Sequence, residues 1–335
     1  MSNNLKIINM NDVEAKEVEW LWYPYIPFGK ITIIQGDPGE GKTTLILNLA
    51  AMLSKGERLP YDDKLRSPIN VIYQTAEDGL SDTVKPRLQN AKADSSRISV
   101  IDESEQELSI TDERLEWAIE QTNAKLVILD PLQAYLGSNV DMHRANEIRP
   151  VMKQLGVIAE KYQCAVVLIG HMNKASGMKS SYRGLGSIDI PASARSVLVV
   201  GRIKDNPTIR VMAQTKNSLA PEGEPIAFEL NKDTGFKFIG KYDISVDDLL
   251  NGTNHITKSE QAENLIKDFL SDGQPKQQKQ IQKQAEMRSI SIRVLNEAKK
   301  QLGVRSFKSG NCWYWELNAN KSRLQKIYKQ TILQP

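Results

Sequence analysis

Short apolar runs rich in β-branched residues recur along the first two thirds of the chain, and segments long enough to hold helices separate the first five. The runs cover residues 31–35, 71–74, 98–101, 126–129, 165–169, 197–200 and 209–212. Runs that are apolar on both faces and alternate with helices indicate a parallel sheet covered on both sides. The pattern therefore predicts an α/β core built around a mainly parallel central sheet.

The helix after the first run has the clearest signal. Leu45, Leu49, Met52 and Leu53 follow the spacing of one helix face, and Gly56 ends the pattern. Further helices are predicted at 81–93, 112–122 and 147–162. After residue 197 the apolar runs lie closer together, and turn signals at 205–207 and 233–235 separate them. This spacing predicts antiparallel strands that close one side of the sheet.

The ends of the chain differ from this core. Residues 1–28 form a lead-in segment with aromatic and proline residues from Trp20 onwards, and we expect it to pack onto the core at 29–239. Residues 240–258 have the polar composition of a linker. Beyond it, helices are predicted at 259–270, 279–287 and 291–302, followed by a hairpin at 304–307 and 312–317. Three helices and a hairpin are the order of a winged helix, here at 259–318. A basic tail covers 319–335.

Composition and charge place limits on the class of protein. Of the 335 residues, 40% are hydrophobic and 25% charged, which is ordinary for a globular protein. Cys164 and Cys312 lie far apart and form no metal or redox pattern. No secretory leader or membrane-spanning run is evident, so we expect a cytoplasmic protein with no membrane partner.

The charge is unevenly distributed. Residues 258–335 contain 15 Lys+Arg and 7 Asp+Glu, a net charge of +8, whereas the whole chain has +3. The remainder therefore carries −5. A basic C-terminal region on a mildly acidic body indicates either an anionic partner, such as nucleic acid, or a solvated basic surface.

A phosphate-binding loop follows the first apolar run. Gly36-Asp37-Pro38-Gly39-Glu40-Gly41-Lys42-Thr43 fits the pattern G-x-x-x-x-G-K-[ST], with a strand before it and a helix after it. Its glycines let main-chain N–H groups face the phosphates, and the helix N-terminus adds its positive end. We expect Lys42 to reach the β- and γ-phosphates of ATP, and the Thr43 hydroxyl to bind Mg²⁺. Residues 36–44, including Thr44, are the predicted nucleotide-binding residues.

Three strand ends supply further candidates. Asp130 ends the buried run at 126–129, where an ionised carboxylate needs a cation, and we expect it to help hold Mg²⁺. Glu77, after the second run, is the favoured group for orienting the attacking water, with Asp78 as the alternative or as a helix cap. His171 ends the fifth strand, at the edge where open α/β sheets bind ligands, and is expected to contact the γ-phosphate.

These residue sets, in this order, resemble the RecA-like hexameric ATPases, most closely the plasmid replicative helicases of the RepA type and their phage and mobile-element relatives. The resemblance covers about residues 25–230, and residues 71–78 match especially well. It implies a ring, expected to be a hexamer, with ATP bound between subunits. It implies that Lys42, Thr43, Glu77 and Asp130 are the catalytic lysine, hydroxyl, glutamate and aspartate. His171 would be the sensor, and Arg87 the arginine that follows the glutamate.

The resemblance also implies an arginine finger that acts on the neighbouring subunit's ATP. It falls most simply on Arg195, with Arg202 and Lys216 as competitors; the ordinary alternative for Arg195 is a surface salt bridge. In such a ring the stretch 173–187 would face the central channel. Its Lys174, Lys179 and Arg183 could then contact the phosphates of single-stranded DNA. A surface loop is the alternative.

The predicted winged helix offers a second surface. Its third helix carries Arg293, Lys299 and Lys300, and Arg305 lies near the wing. In a winged helix these positions would mostly meet the phosphates of duplex DNA, although winged helices also bind proteins. Trp313 and Trp315 alternate on one strand and therefore face the same side, which favours core packing.

Three functions fit these observations. The first is a ring-forming motor on single-stranded DNA, hence a replicative helicase or its loader. The second is a recombinase-like or signalling ATPase with the same core that binds DNA or protein without unwinding. The third is a DNA-binding regulator that uses ATP as a switch. The predicted channel loop and arginine finger favour the first.

Overall fold

A computed structural model of the chain describes residues 7–137, 140–172, 189–251 and 258–317. It divides into two compact units, Met1–Thr253 and Asn254–Pro335. The boundary falls within the stretch that the sequence analysis assigns to a linker.

The first unit is built on a nine-stranded sheet with the order β11-β10-β9-β8-β3-β7-β6-β4-β5. The six strands from β8 to β5 pair in parallel, and β9, β10 and β11 extend the sheet with antiparallel pairs. The strands of the sheet are β3 (Ile31–Gly36), β4 (Asn70–Thr75), β5 (Ile98–Ser99), β6 (Ala124–Asp130), β7 (Ala165–His171), β8 (Ser196–Arg202), β9 (Ile209–Asn217), β10 (Ile226–Asn231) and β11 (Gly235–Lys241). The prediction of a mainly parallel sheet in an α/β core is confirmed.

Helices cover both faces of this sheet, as the two-sided apolar runs require. Buried residues of α1 (Lys42–Ser54) and α2 (Lys85–Asn90) contribute to one hydrophobic cluster, and those of α3 (Glu113–Thr122) and α4 (Ala145–Tyr162) to a second. A π-helical turn at Leu80–Val84 precedes α2. The short helix α5 (Asp189–Ser193) leads into β8 and belongs to the second cluster through Ile190.

The described part of the lead-in segment packs into the hydrophobic cluster that α1 and α2 form on the sheet. It forms a small two-stranded sheet of β1 (Trp20–Trp22) and β2 (Ile26–Pro27). Trp22 is fully buried, and its indole N–H donates to the carbonyl oxygen of Pro60 at 3.0 Å. The Tyr25 hydroxyl donates to the carbonyl oxygen of Glu224 at 2.7 Å, which ties the segment to the antiparallel side of the sheet.

The prediction of a linker at 240–258 is wrong for its first part. Residues up to Lys241 complete β11, and Val246–Asn251 form helix α6. Leu249 is buried in a cluster with residues of β8, β9 and β10. Among the polar residues of this stretch, Val246, Leu249 and Leu250 recur at helical spacing and form an apolar face. Burial of that face ties α6 to the sheet.

Over its described residues, 258–317, the second unit contains three helices and a small antiparallel sheet. The helices are α7 (Lys258–Phe269), α8 (Gln278–Met287) and α9 (Ile292–Gln301); the strands are β12 (Lys276–Gln277), β13 (Val304–Ser309) and β14 (Cys312–Leu317). The sheet order is β12-β14-β13. Its own hydrophobic cluster includes Leu265, Ile281, Leu295 and Trp315. Across the ranges that the structure describes, no helix is long and apolar enough to cross a membrane.

Candidate functional site

The phosphate-binding loop joins the end of β3 to the start of α1. Gly39 and Gly41 have φ angles of 80° and 92°, which favour glycine. At Gly36 glycine is needed for a different reason, the close approach of β8: a Cβ there would stand 2.3 Å from the carbonyl oxygen of Val200. Helix α1 has Gly41 as its N-cap residue, without a side-chain cap. Its first N–H groups are therefore available to an anion.

Lys42 points into this loop. Its ammonium group donates to the main-chain carbonyl oxygens of Gly36 and Asp37 at 2.8 and 2.9 Å, and lies 3.4 Å from Nδ1 of His171. Lys42 is 4% exposed, and burial lowers its pKa, while the nearby Asp130 acts in the opposite direction. A buried ammonium group held inside the loop suits the charge of a triphosphate.

The oxygen atoms of two side chains, Thr43 and Asp130, meet close to Lys42 and are suited to a magnesium ion. The Thr43 hydroxyl donates to Oδ2 of Asp130 at 2.7 Å, and the Tyr73 hydroxyl donates to the same oxygen at 3.3 Å. Burial raises the pKa of Asp130, against the effect of these two hydrogen bonds. Hydroxyl and carboxylate oxygens are the ligands that Mg²⁺ prefers, so the residues present fit the ion and a buried carboxylate gains from its charge.

Glu77 and His171 lie at the same edge of the sheet. Oε1 of Glu77 is 3.9 Å from Nε2 of His171, and the Glu77 side chain is 65% exposed. Asp78 does not act as a helix cap: Gly79 holds the N-cap position, and the Asp78 carboxylate pairs with Arg87 at 2.5 Å. Glu77 therefore presents the freer carboxylate of the two at this edge.

A cavity of about 380 Å³ adjoins the start of α1 on the side of α2 and the turn between β10 and β11. The α1 residues Thr44 and Asn48 line it, with Arg87 and Asn90 opposite and Phe236 on β11. Apolar and amide groups in one cleft next to a phosphate loop can receive a flat heteroaromatic ring. Arg87 thus lines the same cleft as Thr44, as well as pairing with Asp78.

The three candidates for the arginine finger lie in two places. Arg202, at the carboxyl end of β8, contacts the phosphate-binding loop of its own chain. Its Nη2 donates to the carbonyl oxygen of Gly39 at 3.2 Å and lies 3.6 Å from Oε1 of Glu40. This pair joins residues far apart in sequence, and no local signal indicates it.

Arg195 and Lys216 lie together at the opposite edge. Arg195 is exposed, and its main-chain N–H donates to the carbonyl oxygen of Ile31, at the amino end of β3. The length of β3 separates it from the phosphate-binding loop by roughly 16 Å. The Lys216 ammonium group donates to the carbonyl oxygens of Pro191 and Ala192. Burial lowers the pKa of Lys216, and Arg195 acts in the same direction.

The predicted nucleic-acid contacts fall into three groups: residues outside the described ranges, exposed residues of the second unit, and Lys299. Lys174, Lys179 and Arg183 lie outside the described residues. Arg293 and Lys300 are exposed on α9, and Arg293 pairs with Glu297 at 3.2 Å. Arg305 is exposed on β13 and pairs with Glu316 at 3.6 Å.

Lys299 is less exposed than Arg293 and Lys300 and makes contacts within the second unit. Its ammonium group lies 4.8 Å from the centre of the Trp315 ring and donates to the Ser306 hydroxyl, and burial lowers its pKa. The ammonium group is therefore engaged within the second unit, and the contact of Lys299 with DNA stays a prediction. Trp315 is fully buried, as expected, but Trp313 is 51% exposed near the strand end, so core packing accounts for only one of the two.

Comparison with known proteins shows the family to which this chain belongs. A family model described as an AAA domain, AAA_25, matches residues 4–177. The DNA repair protein RadA of Halalkalibacterium halodurans is 26% identical over 229 residues, covering 68% of this chain and 44% of the relative. The chain thus spans less than half of that relative's length.

Two solved structures are also similar. A KaiC-like protein of Pyrococcus horikoshii has a TM-score of 0.47 and 17% identity, covering 67% of this chain and 98% of that one. The RadB recombinase has a TM-score of 0.43 and 19% identity, covering 64% and 92%. The family model, by contrast, matches more than half of the chain. The protein therefore belongs to the AAA domain family AAA_25 and is a P-loop ATPase built on a mainly parallel sheet.

Proposed function

We propose that this protein is a ring-forming motor that hydrolyses ATP with Mg²⁺ and acts on single-stranded DNA, in the manner of a replicative helicase. In each subunit Lys42 and the N–H groups of the loop bind the phosphates. Thr43 and Asp130 would hold Mg²⁺, which when bound would supply positive charge against that developing on the phosphates. Glu77 orients the attacking water, and His171, between Glu77 and Lys42, responds to the γ-phosphate.

The cavity beside Thr44 supports ATP as the nucleotide. It opens next to Thr44, the third residue of α1, and its lining combines amide groups with the Arg87 guanidinium. A base in that cleft would leave the triphosphate directed at Lys42. Because only the base differs between ATP and GTP, competition between the two nucleotides for the site tests the role of this cavity.

The position of Arg195 carries the proposal of a ring. Arg195 is exposed at the amino end of β8, whereas the phosphate-binding loop lies at the carboxyl end of the adjacent β3. An arginine side chain cannot span the length of a strand, so Arg195 could complete only the site of a neighbouring subunit. A guanidinium supplied in this way is worth about a thousandfold or more in rate.

Two surfaces are proposed for nucleic acid. The stretch 173–187, with Lys174, Lys179 and Arg183, would line the channel of such a ring. The second unit is proposed to be a winged helix, supported by its element order α7-β12-α8-α9-β13-β14. The exposed Arg293 and Lys300 on α9 would contact phosphates of duplex DNA, with a protein partner as the alternative.

The test combines assembly, ATP turnover and unwinding. Particle mass in the presence of a non-hydrolysable ATP analogue reports the ring. The ATPase rate, with and without single-stranded DNA, and strand displacement on a forked duplex report the motor. Stimulation with unwinding supports the proposal. A monomer at all concentrations, or turnover that ignores DNA, contradicts it.

A second candidate is a RadA-like ATPase that acts on DNA without unwinding it. The observation that favours it is the match to the DNA repair protein RadA over 229 residues, across 68% of this chain. In that case single-stranded DNA stimulates ATP hydrolysis, and forked duplexes stay intact while ATP is consumed.

A further inference from the structure

The strands beyond β3 in the sheet order, from β8 to β10, contact the phosphate-binding loop. Arg202, the last residue of β8, contacts both Gly39 and Glu40. Val200, two residues earlier, approaches Gly36 so closely that only glycine fits there. Leu230 of β10 fills the space where a side chain at Gly41 would lie. The strands beyond β3 thus form a wall along the loop.

Glu40 is the charged residue of the loop that faces this wall. Its side chain is 17% exposed, and its Oε2 is buried without a hydrogen-bond partner among the described residues. Burial raises the pKa of Glu40, and the guanidinium groups of Arg202 and Arg210 oppose that rise. Arg202 and Arg210 are direct partners in the pairing of β8 with β9. Arg202 contacts the Glu40 carboxylate, and the positive charge of Arg210 on the neighbouring strand acts in the same direction, so both favour a charge that burial alone would disfavour.

We propose that Arg202 and Glu40 form a latch that fixes the phosphate-binding loop in the conformation that receives MgATP, which makes Arg202 a positioning residue in cis. Gly39 and Gly41, on either side of Glu40, have left-handed φ angles and little intrinsic stiffness. The Arg202 guanidinium holds the Gly39 carbonyl oxygen and the Glu40 carboxylate together, so it restricts this segment. The inference rests on the proposed binding of MgATP by the loop.

The latch and simple electrostatics predict opposite effects of Glu40→Gln on MgATP binding. If Glu40 only added negative charge near the phosphates, Glu40→Gln would tighten MgATP binding. If the latch sets the loop conformation, the same substitution weakens binding, because a smaller fraction of the protein is ready to bind. The losses of MgATP affinity caused by Arg202→Met and by Glu40→Gln should not add in the double variant, since either change alone breaks the same contact.

The experiment measures the Kd for MgATP by calorimetry, and KM and kcat for hydrolysis, on the full chain. The variants are Arg202→Met, Arg202→Lys, Glu40→Gln and the double variant Arg202→Met with Glu40→Gln. Arg97→Met is the matched control: the Arg97 side chain is also 40% exposed and pairs with a carboxylate, that of Asp94, at 3.5 Å. Arg97 follows the helix α2 and is remote from the loop in the sheet order, at the edge strand β5.

We expect Arg202→Met to raise Kd and KM about tenfold, the cost of one charge-assisted hydrogen bond, with kcat changed by less than about twofold. Arg202→Lys should recover part of the loss, Glu40→Gln should weaken binding, and the double variant should be no worse than the poorer single one. Arg97→Met should match the unmodified protein. If Arg202→Met does not fold, Arg202→Lys and Glu40→Gln decide the question, since both preserve side-chain size.

Three results would overturn the latch. They are tighter or unchanged binding in Glu40→Gln, additive losses in the double variant, and a loss confined to kcat, which would make Arg202 an arginine finger instead. Failure of the proposed function looks different, because the unmodified protein would then take up no MgATP at all.

Discussion

Replacing Asp130 by asparagine should stabilise the protein while it removes activity. Burial raises the pKa of Asp130, the neighbouring Asp78 and Glu77 add to that effect, and hydrogen bonds from Thr43 and Tyr73 oppose it. The ionised carboxylate is therefore destabilising in the folded protein at neutral pH. Asparagine has the same size and retains an oxygen that can accept both hydrogen bonds.

The expected gain in the free energy of unfolding is about 1 kcal/mol at neutral pH, in the range found when a functional site is relieved of strain or charge. Loss of the attraction between Asp130 and Lys42 offsets part of it. Because the pKa is raised on folding, the advantage of the variant is absent in acid, where the carboxyl group is protonated in both states. It grows as the pH rises through the usual carboxyl pKa and is complete above the folded pKa.

Denaturant unfolding at several pH values measures this gain, and Mg²⁺-dependent ATP turnover, expected to fall about a hundredfold, measures the loss. Asp112→Asn is the control with the opposite sign. The hydrogen bond from Arg114 lowers the pKa of Asp112, so its replacement should destabilise the protein at neutral pH. A destabilised Asp130→Asn, or one that gains equally at all pH values, would refute the reasoning.

Three further changes test other parts of the account. Glu77→Gln should keep MgATP binding and lower kcat about a hundredfold or more, because Glu77 orients the water; full turnover in a single-turnover assay would remove it from the mechanism. Lys299→Ala should lower the free energy of unfolding by about 1–2 kcal/mol, from one cation–π contact and one hydrogen bond. Its affinity for duplex DNA, measured by fluorescence anisotropy, should stay unchanged if these contacts keep Lys299 from DNA, whereas a large loss would support the predicted contact. Lys300→Ala should weaken that affinity and reduce its salt dependence by about one phosphate contact, whereas an unchanged salt slope would exclude that contact.

The parallel strands and the phosphate-binding loop could be predicted because their signals are local. Fully buried strands read as continuous apolar runs, and the loop requires glycine at fixed positions with a lysine after them. The positions of Asp130 and His171 at strand ends could also be predicted, since Asp130 directly follows such a run and His171 follows one after a single glycine. The edge of the sheet that binds ligands follows from the strand direction alone.

The rest depends on contacts between distant parts of the chain. The pairing of Arg202 with Glu40 follows from β8 lying next to β3, and no pattern near residue 40 or 202 specifies that neighbour. The half-buried setting of Lys299 depends on Trp315, whose ring centre lies 4.8 Å from its ammonium group. Helix α6 shows apolar residues at helical spacing, but its acidic and amide residues give the composition of a linker. In each case a tertiary contact outweighs the local signal.

Binding of MgATP by the loop at the start of α1 is the central claim, and calorimetry on the folded protein tests it most directly. The account predicts saturable uptake of MgATP by the unmodified chain and loss of that uptake in Lys42→Ala, with the thermal unfolding midpoint of the variant showing that it is folded. Equal uptake by both proteins, or none by the unmodified one, would contradict it.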